Sequence, residues 1–297
     1  MMGTFMPLLA AAAPEGGEFD IKEMILHHLA DSDTWETPFG VVHLPQFAPL
    51  QLGPISLDFS ITKHVLFMVF AAVLVAVLLI LAGRDAAREH RAGAERGPKG
   101  AANVVEAFVL FLRDEIAMKN IGHGGERYVP YVVTIFFFIL FCNLLGLIPW
   151  GASPTGNISV TATLAVMTFI VVEIAGMKAL GFKGYMGTIF YVPKGLPKPL
   201  VPIMLIIMTP VEFLGKLTKP FALAIRLYAN MTAGHAIVLA LTGLLVLAGI
   251  GNALFIAPAP LLMAIAIMIL EVFVAFLQAY IFAMLTAVFI GLIRHAH

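Results

Sequence analysis

The sequence predicts an all-α polytopic membrane protein of about five membrane helices. The last two are long, strongly tilted and antiparallel, and one amphipathic helix lies on the membrane surface. Three observations carry this reading. Of the 297 residues, 60% are hydrophobic and 12% charged, and the mean hydropathy is +0.96, against roughly 25% charged residues in soluble domains. Uncharged apolar runs recur at spanning length. The Lys- and Arg-rich segments after Lys63 all fall on one side of those runs.

Residues 1–60 read as an extracytoplasmic acidic arm, with Glu15, Glu18, Asp20, Glu23, Asp31, Asp33, Glu36 and Asp58. Met1 to Ala13 lacks the basic start of a cleaved signal peptide. Phe19 to Ala30 has the pattern of a short amphipathic helix, and Pro38, Pro45, Pro49 and Pro54 predict extended loop after it. Residues 61–83 form the first span, because Val65 to Leu81 is uncharged and, with Ile61 to His64, long enough for a hydrocarbon core of about 30 Å. Arg84, Arg88, Arg91, Arg96 and Lys99 place its far end in the cytoplasm and the arm outside. Residues 84–130 form a cytoplasmic segment. Within it, Val104, Val105, Phe108, Phe111, Leu112 and Ile116 alternate with Glu106, Arg113, Asp114 and Glu115 at a surface-helix period.

Residues 131–181 read as a membrane hairpin. Tyr131 to Trp150 goes out to the Pro149-Trp150 interface, the uncharged turn Gly151 to Gly156 follows, and Ile158 to Ala175 returns. Residues 182–200 form a second cytoplasmic loop marked by Pro193, Pro197 and Pro199, with basic residues Lys178, Lys183, Lys194 and Lys198 around it. Residues 201–297 form a long helical hairpin. A straight helix over Leu200 to Ile250 would measure roughly 75 Å, so it bends at Pro210 and Pro220 or lies far from the membrane normal. Phe221 to Gly249 and Leu261 to Ile293 would be about 43 to 50 Å long and fit a 30 Å core only at tilts of roughly 45 to 53°. The turn between them falls at Gly249-Ile250-Gly251-Asn252 and Pro258-Ala259-Pro260. Orientation places the N-terminus outside and the C-terminus in the cytoplasm.

The hairpin carries the polar residues that ask for explanation. Arg226 lies in an otherwise apolar run, where a cation costs from about 2.5 to more than 10 kcal/mol and cannot escape by losing its proton. The nearest embedded acid in sequence, Glu212, lies roughly 21 Å away along a helix, which points to a carboxylate on another chain. One antiparallel register sets Arg226 opposite Gln278 and His235 opposite Glu271, the two pairs separated by roughly 13 Å. Arg226 and Asn230 share one helix face. The first group reads as a fixed cation with amides that can hold a guanidinium without neutralising it. The second can pass a proton, because an imidazole titrates near neutral pH and its nitrogens accept and donate together; it also reads as a buried ion pair joining two helices. Glu212 and Lys216 read either as an i,i+4 pair or as the lining of a cytoplasmic exit, and Glu173 is equally open. Asn143, Ser159, Thr161 and Thr163 could hydrate an outer path, though such residues more often pack helices together.

Arg226-Leu227-Tyr228-Ala229-Asn230-Met231-Thr232-Ala233-Gly234-His235 follows Glu212 and Lys219-Pro220 and precedes Leu277-Gln278-Ala279-Tyr280-Ile281-Phe282. Together with Asn143-Leu144-Leu145-Gly146-Leu147-Ile148-Pro149 and Asn157-Ile158-Ser159-Val160-Thr161, this resembles subunit a of F-type ATP synthases over roughly residues 55 to 293. The resemblance implies the stator of a proton-translocating membrane sector in a bacterial inner membrane. Its partners would be a c-ring of subunit c, the peripheral-stalk subunit b, the rest of the ATP synthase and the lipid bilayer. It implies Arg226 as the essential cation facing the ring carboxylates, supported by Gln278 and Asn230. His235 and Glu271 become the outer half-channel relay, and Glu212 lines an inner half-channel. Some relatives have His and Glu exchanged, and some have an aspartate at the position of Gly146, so no direct proton role is expected of residue 146.

No cofactor is implied. A GxxxxGK[ST] phosphate loop and an HExxH motif are absent, so the chain itself is expected neither to make ATP nor to act as a metalloprotease. The histidines are not spaced to hold one metal ion. Cys142, the single cysteine, excludes an internal disulfide, and nothing suggests nucleic-acid binding. The rival reading is a self-contained secondary antiporter, which would need its own alternating-access machinery; no internal repeat supports it.

Overall fold

The structure, a computed structural model, describes residues 22, 25, 26, 30–37, 40–47, 50–52, 55–57, 60–91, 101–148, 150–190, 197, 200–247 and 258–295. Outside them fall Met1 to Ala13, most of the expected helix Phe19 to Ala30, the turn at 249–252, Lys194, Lys198 and His297. The described chain is almost entirely helical, with helices α1 (Lys63–Arg91), α2 (Ala101–Phe111), α3 (Val129–Gly146), α4 (Ile158–Ile189), α5 (Val201–Leu247) and α6 (Pro258–Arg294). Five of them, α1 and α3 to α6, are long and apolar enough to cross a membrane.

The acidic arm differs from the expected loop. Thr34–Thr37 (β1) pairs antiparallel with Gly40–His43 (β2), and Leu50–Leu52 (β3) pairs antiparallel with Ile55–Leu57 (β4). Of the prolines that suggest loop, Pro45 is described and lies just past β2, where its missing N–H costs no ladder bond. Further on, α4 does not stop near Ala175 but continues to Ile189, taking Lys178 and Lys183 out of the loop and onto a helix. Its direction breaks at Gly181, whose φ of 68° lies in the left-handed region that favours glycine. A π-helical stretch, Leu112–Met118, and the short helix Lys119–Ile121 carry α2 onward. That end is no mere surface layer, because Leu112, Ile116 and Ile121 are buried.

The described residues cluster into two compact units. One draws on the described residues within Met1–Leu74, Ile139–Asn157 and Tyr228–Leu277, the other on those within Val75–Phe138, Ile158–Leu227 and Gln278–His297. In the first, Trp35 of β1 donates its indole N–H to the carbonyl of Trp150 at 2.8 Å and meets Phe67 of α1 edge-on at 5.5 Å. The arm is thereby held against helical residues by an aromatic anchor with its one polar atom satisfied. In the second, α6 packs along a stripe of small residues four apart: Ala279, Ala283 and Ala287 are fully buried. At Gly291 a Cβ would stand 2.0 Å from the carbonyl oxygen of Asn120. Without a hydrophobic drive between helices in lipid, such close approach supplies the cohesion.

At about 1.5 Å per residue, α5 and α6 far exceed the 30 Å that an upright helix needs. The helix α5 runs unbroken through Pro210 and Pro220, although each proline leaves the carbonyl four residues earlier without its amide partner.

Candidate functional site

In the second unit, Arg226 lies on α5 with its residue exposed, beside the exposed Ile225. Gln278 of α6 is only 3% exposed and donates its amide N–H to the backbone carbonyl of Arg226 at 2.9 Å. This corrects the expectation that Gln278 and Asn230 hold the guanidinium. Gln278 points inward and spends its donor on a carbonyl, which has a second lone pair beyond its helical bond. Asn230, one turn along α5, is exposed. Gln278 therefore fixes where the Arg226 backbone stands and leaves the charged tip free. Among the described residues, no side chain forms an ion pair or hydrogen bond with that guanidinium.

In the first unit, His235 Nδ1 lies 3.6 Å from Glu271 Oε1. That is an ion-pair separation rather than a hydrogen bond. The same Nδ1 is 2.8 Å from the carbonyl of Met231, and Nε2 is 2.8 Å from the carbonyl of Gly146. Carbonyl oxygens only accept, so both contacts are hydrogen bonds only when both ring nitrogens carry a proton. Glycine at 234 makes room for the acid, since a Cβ there would stand 2.0 Å from Glu271 Oε1. Glycine at 146 is needed for a second reason: a Cβ would meet that of Ser153 at 2.4 Å. Residue 146 thus meets the His235 ring through its backbone carbonyl, a contact sequence reasoning missed because a carbonyl leaves no mark on residue type.

Asn143 lies behind this pair and is fully buried. It accepts a bond from Thr155 at 2.6 Å and donates to the carbonyl of Ala275 at 3.4 Å. It ties α3, the turn after it and α6 together. Thr161 and Thr163 bond back to the carbonyls of Ile158 and Ser159.

The remaining acids meet in the second unit. Lys216 does not pair with Glu212, as the four-residue spacing suggested, but with Glu173 at 3.3 Å and Thr188 at 3.2 Å, its ammonium 4.4 Å from the Tyr185 ring centre. Tyr185 also donates its hydroxyl to Glu173. The partly buried lysine gains two acceptors and an aromatic face this way, which a neighbour on its own helix could not offer. Glu212 is left exposed, without an ion pair or hydrogen bond among the described residues, on the wall of a cavity of about 220 Å³ that also touches Glu173, Lys216 and Lys219.

One pair has no precursor in the sequence reading. His64, at the start of α1, is 5% exposed, and its Nδ1 lies 2.7 Å from Asp31 Oδ1. Asn157 donates to the other Asp31 oxygen at 3.2 Å. Burial pushes the Asp31 carboxyl up, but the hydrogen bond and charge of His64 outweigh it and hold the group below the usual carboxylate value of 3.8. A carboxyl whose pKa falls on folding stabilises the fold above its unfolded pKa and loses that contribution as pH drops through its folded value. Asp31→Asn is therefore expected to lower the melting temperature of the purified protein at neutral pH. The gap to the parent should close below about pH 4, and a pH-independent gap would contradict this account.

Helices of spanning length, apolar faces turned outward and ionisable side chains set among them are the anatomy of a multi-pass, ion-translocating membrane protein. Comparison with known proteins gives the particular family. Residues 65–291 match the family model described as ATP synthase A chain. The chain is 47% identical over 286 residues to ATP synthase subunit a 2 of Chlorobaculum tepidum, covering 95% of this chain and 76% of that relative. It is 44% identical over 268 residues to ATP synthase subunit a of Chloroherpeton thalassium, covering 90% and 75%. With subunit a of an Anaeromyxobacter species it shares 40% over 320 residues, covering 97% and 75%. The chain belongs to the ATP synthase subunit a family: it is an integral multi-pass subunit of the ATP synthase complex, serving proton transport and ATP synthesis.

Proposed function

We propose that the chain is the non-catalytic stator of the membrane sector, offering two offset proton half-channels to a rotating c-ring and separating them with Arg226. The carrying observation is the exposed guanidinium of Arg226, unpartnered among the described residues and flanked by apolar Ile225 and Leu227. A charge so placed needs an opposite charge from elsewhere, and a ring carboxylate passing that face supplies it transiently. Facing the cation, the carboxyl favours its ionised form and gives up its proton. Protons enter from outside past His235 and Glu271, neutralise the ring carboxylate so that it can enter lipid, and leave near a full turn later through the cavity beside Glu212.

In this reading Gln278 is a positioning residue that holds the Arg226 backbone, and Asn230 lends a polar neighbour on the same helix. The arm is outside and the C-terminus cytoplasmic, following the basic segments. Subunit b and the ring are the membrane partners. The test is proton flux in liposomes. Purified chain alone is expected to conduct no more than empty vesicles, whereas chain assembled with the ring conducts. Ion exchange by the chain alone would establish the antiporter reading instead.

A further inference from the structure

The first unit holds a second His–carboxylate pair that the relay through His235 and Glu271 does not use. Asp31 and His64 stand 2.7 Å apart, with the Asp31 side chain 31% exposed and that of His64 6% exposed. The pair thus spans from accessible surface to buried interior. In the same unit, His64 and His235 stand near enough for their charges to be felt by one another. Two buried oxygens flank that region without a hydrogen-bond partner among the described residues: Thr232 Oγ1, one turn before His235, and Glu271 Oε1. Buried polar atoms require partners, and polar sites of this kind are where water is held. Lys63, His235 and Glu271 are the other charged or titratable groups around the row.

From this geometry we infer that Asp31 and His64 form the mouth of the outer proton path, taking protons from the external phase and passing them by water to His235. The inference rests on the stator reading and deepens it. Asp31 binds a proton from external water, then its O–H bond breaks as an N–H bond forms at His64 Nδ1, while the Nε2 proton leaves to water on the inner side. Each bond broken is matched by one formed, and a ring flip then turns the bare nitrogen back toward Asp31 for the next proton. Asn157 holds the second carboxylate oxygen, so Oδ1 stays aimed at the ring. A carboxylate here also raises the local concentration of protons at the entrance.

A purely structural reading makes the same pair a tether for the arm, and the experiment separates the two. The complete complex is reconstituted in liposomes, and passive proton conduction through its membrane sector is measured at outer pH 6 and pH 8. His64→Gln keeps an N–H donor for Asp31 but cannot relay a proton. Both His64→Gln and Asp31→Asn are expected to conduct roughly tenfold less at pH 8, with the loss shrinking at pH 6 where external protons are abundant. Trp35→Phe, which removes the arm's bond to Trp150 but no titratable group, should conduct as the parent does.

Parent-like conduction in His64→Gln, or an equal and pH-independent loss in all three variants, would overturn the inference. Arg226→Ala is run alongside. If it still pumps uphill, the stator reading itself fails; if it is inactive while His64→Gln is normal, only the mouth is wrong.

Discussion

Replacing Arg226 by alanine is expected to abolish ATP-driven proton pumping while the complex still assembles. Gln278 bonds the backbone carbonyl at 226, which every substitution preserves, so packing of α6 against α5 survives. What is lost is the fixed charge. An opposite charge at close range moves a carboxyl pKa by about one to three units, so release from the ring carboxylate should slow by about 10- to 1,000-fold. The barrier between the inlets falls as well, because nothing then repels a proton crossing directly, and passive leak is expected to rise as pumping vanishes. Arg226→Lys should fail too, since an ammonium in an apolar site can deprotonate and a guanidinium cannot. Acidification of inverted vesicles by ATP, with leak measured after ATP is removed, reads both effects. Normal ATP synthesis with alanine at 226 would refute the role.

The hairpin register was legible in the sequence because two antiparallel helices leave only one sliding parameter. Embedded polar residues are few enough to choose it, and Arg226 does meet Gln278 and His235 does meet Glu271. Which atoms meet was not legible. Amide and guanidinium suggested side chain to side chain, yet Gln278 reaches a carbonyl, a group every residue owns. Lys216 shows the limit of local spacing, for Glu212 lies one turn away and Glu173, 43 residues distant, takes the bond. Asp31 with His64 shows it again, since an acid in an acid-rich arm and a histidine at a helix start carry no mark of each other until the arm folds back. The spans were read well because hydropathy is additive along the chain. The end of α4 was not, because lysines at a membrane surface extend a helix as readily as they end it.

Exchanging the relay pair, His235→Glu with Glu271→His, is expected to harm ATP-driven pumping less than the worse single change. Each single variant leaves two like groups facing one another, two acids or two imidazoles, and removes the pairing at 3.6 Å. The exchange restores one imidazole and one carboxylate at the same separation, and neighbouring ionisable groups commonly couple by about 0.5–3 kcal/mol. Recovery should nevertheless be incomplete, for a reason specific to this site. The carbonyls of Gly146 and Met231 accept from the ring at 235, and a carboxylate placed there meets two oxygens that repel it. The imidazole moved to 271 must also fit against Gly234, where a bare Cα now leaves room for a carboxyl group. The pump is therefore expected to regain part of its rate and to work best at lower external pH, where the transplanted acid is protonated and can donate to a carbonyl. Strictly additive losses in the double variant would show that the two residues act independently, and a shared relay between them would have to be given up.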